Sequence, residues 1–356
     1  MESLPTKKEI DYEKLNEYLN NYCLCMDGSN FIENLSFFYY LTQQLSTFLK
    51  IKLSSYDVLN EQNKKRAKHQ HLSLMEMLDI TEKYIESRMP EYKDDFSEYM
   101  KNGIINIVAD PLNDNDNDLA DHAGINEQNH AYINTVLVHN SYDPPTLIHE
   151  FLHILNKNLN GPDSLSRAYI TEGISIYFEM DMTNFMLNNG FNSEDVFQDR
   201  LYRLEDFYYC VGDMKQIFPI LLCFEKIGPI NEKSFKEMKE LKVYPRPATE
   251  DDFSTNLTNS ATLLLKKDSL HPLKEFSYVI GTLLAYYAID QKDERFHQKM
   301  LNLNKKVNTD IFPDILEYLG LDIENSKELC EKLSPPLEHE IQRISKNLNK
   351  KSANKK

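Results

Sequence analysis

Leu147, Ile148, Phe151, Leu152 and Leu155 recur at the three- and four-residue spacing of one helix face. Asp143 suits the N-cap of that helix, Pro144 and Pro145 fit its first turn, where missing amide hydrogens cost nothing, and Gly161-Pro162 ends it. A second helix is expected from about Asp163 to Met182, with Ile170, Ile174, Tyr177 and Phe178 available for packing. Upstream, Ile104–Ala109 and Tyr132–His139 are compact β-branched runs and read as strands, the second leading by a short turn into the first of these helices. That position places it at the edge of the sheet. Residues 9–60 read as helices with apolar clusters such as Phe37–Leu41, Asn60–Gln70 as a polar linker, and Leu72–Arg88 as a further helix. Beyond Thr183 the pattern is helical again, interrupted by Val243–Pro247 and a polar stretch to Ser260.

Composition supports this pattern. Only 10 of the 356 residues are Gly, and long stretches of Glu, Lys, Leu and Asn favour helix over sheet. A chain of this length is ample for a sizeable core and exceeds a typical single domain, so two or three subdomains are expected. The 40 basic against 56 acidic side chains leave a net charge of −16, which argues against nucleic acid or an anionic membrane as partner. No apolar run approaches the roughly 18 residues of a membrane span, and the first residues lack a signal peptide's apolar core, so a cytoplasmic location is expected. Five scattered cysteines suit reduced thiols rather than a disulfide frame.

The chemistry lies at His149-Glu150-Phe151-Leu152-His153, followed after eighteen residues by Glu172-Gly173. Histidines four apart share a helix face, so their imidazoles can converge on one zinc ion at about 2.0–2.1 Å. Glu172 would complete the site. Two His and one carboxylate leave a fourth tetrahedral position open, as catalytic zinc requires. Glu150, turned about 100° around the helix from His149, borders the ion without ligating it and is the natural general base. Each histidine's other ring nitrogen needs an acceptor, for which Glu179 and Asp181 are candidates. An extended substrate could add as an extra strand to the sheet edge beside this site.

This motif and its spacing resemble the gluzincin metallopeptidases, and the gap before Glu172 is similar to that of the aminopeptidase N and leukotriene-hydrolase family, one residue shorter than that of thermolysin. The resemblance covers roughly residues 75 to 180. It implies a downstream tyrosine, in a Tyr-x-x-Gly helix start, whose hydroxyl steadies the oxyanion; Tyr278-Val279-Ile280-Gly281 corresponds. It also implies a Gly-x-Met-Glu-Asn segment that grips a free amino group. Gly124-Ile125-Asn126-Glu127-Gln128 echoes it without the Met or the final Asn, so endopeptidase and aminopeptidase both stay open and Glu127 reads as part of a polar loop.

Other motifs carry less. From Asp114, the sixth and twelfth places of a calcium loop hold Leu119 and Ile125, so residues 113–118 read as a solvated loop. His271, His297 and His339 lack ligand-like spacing.

The expected fold is α+β and predominantly helical. It comprises an N-terminal helical region (1–70), a thermolysin-like catalytic subdomain of small mixed sheet and zinc helix (71–182), a C-terminal helical subdomain carrying Tyr278 (183–345) and a basic tail (346–356). The expected function is zinc-dependent hydrolysis of a peptide or protein substrate, with Zn2+ on His149, His153 and Glu172 and with Glu150 and Tyr278 in catalysis. The alternatives are an inactive binding module on the same fold and a non-peptidase zinc hydrolase.

Overall fold

A computed structural model describes residues 10–26, 35–59, 71–108, 122–125, 131–160, 168–241, 250–266, 271–291, 294–305, 316–321 and 325–354. The expected linker at 60–70, the acidic loop at 113–118, Glu127 and the Val243–Pro247 interruption lie outside them. Two N-terminal helices, α1 (Tyr12–Met26) and α2 (Leu35–Ser55), precede α3 (Leu74–Arg88), and α4 (Lys93–Lys101) leads into the sheet. The strands are β1 (Ile105–Val108), β2 (His122–Ile125) and β3 (Ala131–Val136). Helices α5 (Asp143–Asn160), α6 (Ala168–Asn188) and α7 (Ser193–Ile227) follow, then α8 (Phe235–Glu240), α9 (Glu250–Lys266), α10 (His271–Gln291), α11 (Glu294–Lys305) and α12 (Ser326–Asn354).

Local chemistry accounts for several boundaries. Ser73 starts α3 with a capping box: the Glu76 amide donates to Ser73 Oγ, and the Ser73 amide donates to Glu76 Oε2 at 2.9 Å. Asn192 caps α7 by accepting the Glu194 amide, and Gly228 ends it at φ 76°. At the start of α5 the Asp143 side chain does not act as the expected cap. The helix already begins there, and the carboxylate reaches backwards to accept the amides of Val138 at 2.9 Å and Asn140 at 3.2 Å. It ties down the turn from β3 into α5. β3 ends at Val136, short of the expected His139, which sits in that turn at φ 58°, a left-handed conformation that a strand cannot continue through. The backbone carbonyl of His139 accepts the Leu72 amide, and its ring stacks on His71 at 5.1 Å.

Three strands form one mixed sheet in the order β1-β3-β2: β1 pairs parallel to β3 with Ile105 opposite Ile133, and β2 pairs antiparallel with His122 opposite Asn134. The expectation that β3 is the edge is therefore corrected. Short β2, holding Gly124 and lacking a β-branched run, gave no strand signal, yet it occupies the flank that was to stay open. Two further differences concern helices. The second helix of the site is described from Ala168 and runs on to Asn188, past the expected end at Met182, while its expected start near Asp163 lies outside the described residues; residues 250–260, expected as a polar interruption, belong to α9.

One hydrophobic cluster runs through the helices and includes Leu15 and Leu19 of α1, Leu41 and Leu45 of α2, Phe218 of α7 and Ile341 and Ile344 of α12. N-terminal α2 packs on α7 and α12, and α1 on α9, so the first and last helices share a core. The last helix continues to Asn354, across the boundary drawn at residue 345. No helix among the described residues is long and apolar enough to cross a membrane.

Candidate metal centre

Helices α5, α6 and α10 meet around the histidine motif, and α6 packs on both of the others. The apolar stripe of α5 (Leu147, Ile148, Phe151, Leu152, Leu155) is buried, and its fixed seating sets the direction of His149 and His153. Asn156 of α5 donates to Thr171 Oγ1 of α6 at 2.9 Å, which holds the two helices in register one residue before Glu172. Across the other side of α6, Gly173 faces Gly281 of α10. A Cβ on Gly281 would stand 2.7 Å from the Gly173 nitrogen and 2.8 Å from its Cα, so the two backbones touch. This contact brings the turn of α10 that carries Tyr278 against the turn of α6 that carries Glu172.

The ligand atoms of His149, His153 and Glu172 all lie within 4.8 Å of one another and could hold a metal ion. The two Nε2 atoms are 3.0 Å apart, and each lies 3.5 Å from a different oxygen of Glu172. Two imidazole lone pairs cannot face each other at that separation without a cation or a proton between them. The other nitrogen of His149, Nδ1, lies 3.1 Å from Glu179 Oε2. With a proton on Nδ1 donated to that carboxylate, Nε2 presents its lone pair inward. Glu172 Oε2 is buried without a hydrogen bond, an exception to the rule that buried polar atoms are paired. The donor set of two imidazoles and one carboxylate with an orphaned oxygen fits zinc.

Electrostatics express the same crowding of acids. Burial disfavours the charged form of His149, but its contacts with Glu172 and Glu179 outweigh this and raise its pKa to about 10. Burial works to raise both glutamates, yet the histidines hold Glu172 below the ordinary carboxylate range, and Arg203 with His149 holds Glu179 at about 2. The Tyr278 phenol is pushed well above its usual value, first by the charge of Glu172, then by burial, with Glu150 and Glu179 adding to it. The charges of Glu172, Glu150 and Glu179 are thus felt at the Tyr278 hydroxyl. Glu150 is itself buried, next to His149 on α5.

Of the residues singled out from the sequence, His149, His153 and Glu172 are thus brought together, with Glu150 beside His149 on α5 and Tyr278 one turn before the Gly281–Gly173 contact. Of the two proposed acceptors, Glu179 serves His149, whereas Asp181 accepts from Arg88 Nε at 3.0 Å and from the Tyr84 hydroxyl at 3.0 Å. Sequence reasoning missed Arg203 of α7, which donates to Glu179 Oε1. No local signal marks it, because α7 reaches the site only through tertiary packing. His297 is a buried structural residue whose Nε2 donates to the Arg88 carbonyl at 2.7 Å, and His339 is exposed and pairs with Asp290.

No protein-family model matches the sequence, and no curated protein matches it. Solved structures do match the fold. A protein from Chlamydophila abortus assigned to the peptidases aligns with a TM-score of 0.57 at 16% identity, over 94% of this chain and 61% of that one. An inhibitor complex of PZ peptidase A aligns with a TM-score of 0.52 at 14% identity, over 88% of this chain and 58% of that one. An assigned oligoendopeptidase F from Bacillus anthracis strain Ames aligns with a TM-score of 0.50 at 14% identity, over 93% of this chain and 57% of that one. This chain spans about three fifths of the length of these structures, and its predominantly helical fold is similar to that of solved peptidases.

Proposed function

We propose that the protein is a zinc metallopeptidase, with His149, His153 and Glu172 holding the ion. The observation that carries this reading is the approach of two imidazole Nε2 atoms to 3.0 Å beside a buried carboxylate oxygen that makes no hydrogen bond. The reading is supported by Glu150, buried next to His149, by the charges of Glu172 and Glu150 felt at Tyr278, and by the fold shared with solved peptidases. The narrower resemblance to aminopeptidase N rests on the motif spacing alone. The neighbours include an assigned oligoendopeptidase F, so short peptides are the first substrates to assay.

Bound zinc would supply Lewis-acid chemistry, including a water whose pKa is about 7 rather than about 15.7. Glu150 takes the proton of the attacking water and delivers it to the leaving amine nitrogen, a transfer that a positioned carboxylate accelerates by about 10²–10⁴. Tyr278, kept protonated by the surrounding carboxylates, donates its hydroxyl to the developing oxyanion. Glu179 holds His149 in the tautomer that turns Nε2 inward.

The test uses a library of internally quenched peptides. Wild type is expected to carry one zinc and to cleave, and Glu150→Gln to keep the zinc and lose about 10²–10⁴ in kcat. A zinc-loaded Glu150→Gln variant as fast as wild type would remove Glu150 from its role, and wild type without stoichiometric metal would overturn the reading.

A further inference from the structure

We infer that Arg203 is a positioning residue for the metal centre: through Glu179 it fixes the ring of His149 and thereby sets how tightly the chain holds its cation. This deepens the proposed function and rests on it. Arg203 lies on α7, outside the three helices that carry the motif, and its side chain donates to Glu179. Its partner is Glu179 Oε1, while the other oxygen of the same carboxylate, Oε2, stands 3.1 Å from His149 Nδ1. A carboxylate on a helix rotates about its last torsion with little resistance. Pinned on one oxygen by a planar guanidinium, it can offer the other in only one direction. The side chains of Arg203 and Glu179 are 19% and 9% exposed, so water competes little for either.

Two opposing effects follow from a cation placed there. By charge alone, Arg203 repels a metal, and removing it would tighten binding. By orientation, removing it frees Glu179 and the His149 ring, and binding weakens. The direct pair with Glu179 already neutralises most of the charge felt at the metal, so orientation wins; the loss expected from such an outer partner is about 10- to 100-fold in affinity. The signs are opposite, which makes the two accounts separable.

The experiment measures zinc dissociation constants of the full chain by competition with a chromogenic chelator, on wild type, Arg203→Met, Arg203→Lys, Glu179→Gln and the Glu179→Gln/Arg203→Met double variant. Met fills most of the volume, which matters because Arg203 and Glu179 line a small cavity of about 20 Å3 that a truncation would enlarge. Arg203→Met is expected to weaken zinc binding about 10- to 100-fold. Arg203→Lys keeps the charge but loses the fork, and is expected to weaken it as well. Because Arg203 acts through Glu179, the double variant is expected to bind no more weakly than Glu179→Gln alone. A merely structural ion pair between α6 and α7 would instead lower the melting temperature of the chelator-treated protein while leaving zinc affinity in place. Unchanged or tighter binding in Arg203→Met, or additive losses in the double variant, would overturn the inference. Should Arg203→Met fail to fold, Arg203→Lys against wild type decides the same question. If wild type binds no zinc, or His153→Ala binds as well as wild type, the metal centre itself is wrong and the inference goes with it.

Discussion

His149 shows how far one side chain can be driven by its neighbours. Its imidazole is buried, which by itself favours the neutral form, yet two glutamates lift its pKa to about 10. The unfolded chain has the ordinary value of about 6.5. A folded pKa raised above the unfolded one gives stability that is complete below about pH 6.5 and is lost as pH rises through 10. Chelator-treated protein is therefore expected to melt at progressively lower temperature between pH 6.5 and 10, and His149→Asn to flatten that dependence. Thermal melts across this range check it, and a wild-type midpoint that rises with pH would contradict it. Tyr278 belongs to the same scale. Tyr278→Phe is expected to keep zinc and cost about 10²–10³ in kcat, as the loss of one oxyanion donor does. An unaffected rate in single-turnover assays would leave the hydroxyl without a role. Of these residues, the histidines and Glu172 were legible from spacing, because an i, i+4 pair on an amphipathic helix has one geometry available, and Glu150 from its place beside the first histidine. Tyr278 was legible only through a resemblance, and Arg203 not at all, since no local pattern says which arginine of a long helix will find Glu179.

Helices α6 and α10 are locked by a contact that a side chain would break. A Cβ at Gly281 would meet backbone atoms at 2.7 and 2.8 Å, and backbone cannot rotate out of the way. Gly281→Ala is therefore expected to push α10 outward, costing at least the roughly 1–3 kcal/mol of overpacking, and to draw Tyr278 away from Glu172. Gly173→Ala meets its nearest atom at 3.2 Å and is expected to cost less. Urea denaturation of both variants checks the order, and equal stabilities would show that the helices slide freely. The sheet makes the converse point about prediction. The β-branched runs of β1 and β3 announced themselves, whereas β2 is a strand because β3 offers it a ladder, a tertiary reason that propensity does not contain.

Over the whole molecule, the helical regions drawn apart from sequence share one core. Arg200 of α7 pairs with Glu340 of α12 at 2.8 Å, the two side chains being 3% and 6% exposed, and Arg200 also donates to Thr183 Oγ1 and Asn184 Oδ1 of α6. Removing one partner of a buried pair strands the other charge. Glu340→Ala is accordingly expected to cost about 3–5 kcal/mol, read by urea denaturation. A cost below about 1 kcal/mol would mean that α12 is loosely docked.

What the sequence by itself determined is the candidate ligand set and the helix that presents its two histidines: residue types, their spacing and an apolar stripe act within a few turns, where local geometry leaves no choice. Tertiary structure decided which strand is central, how close α10 approaches α6, and that an arginine of α7 stands behind the first histidine's acceptor. Those outcomes depend on contacts between residues far apart in the chain, which packing selects and spacing along the chain does not encode.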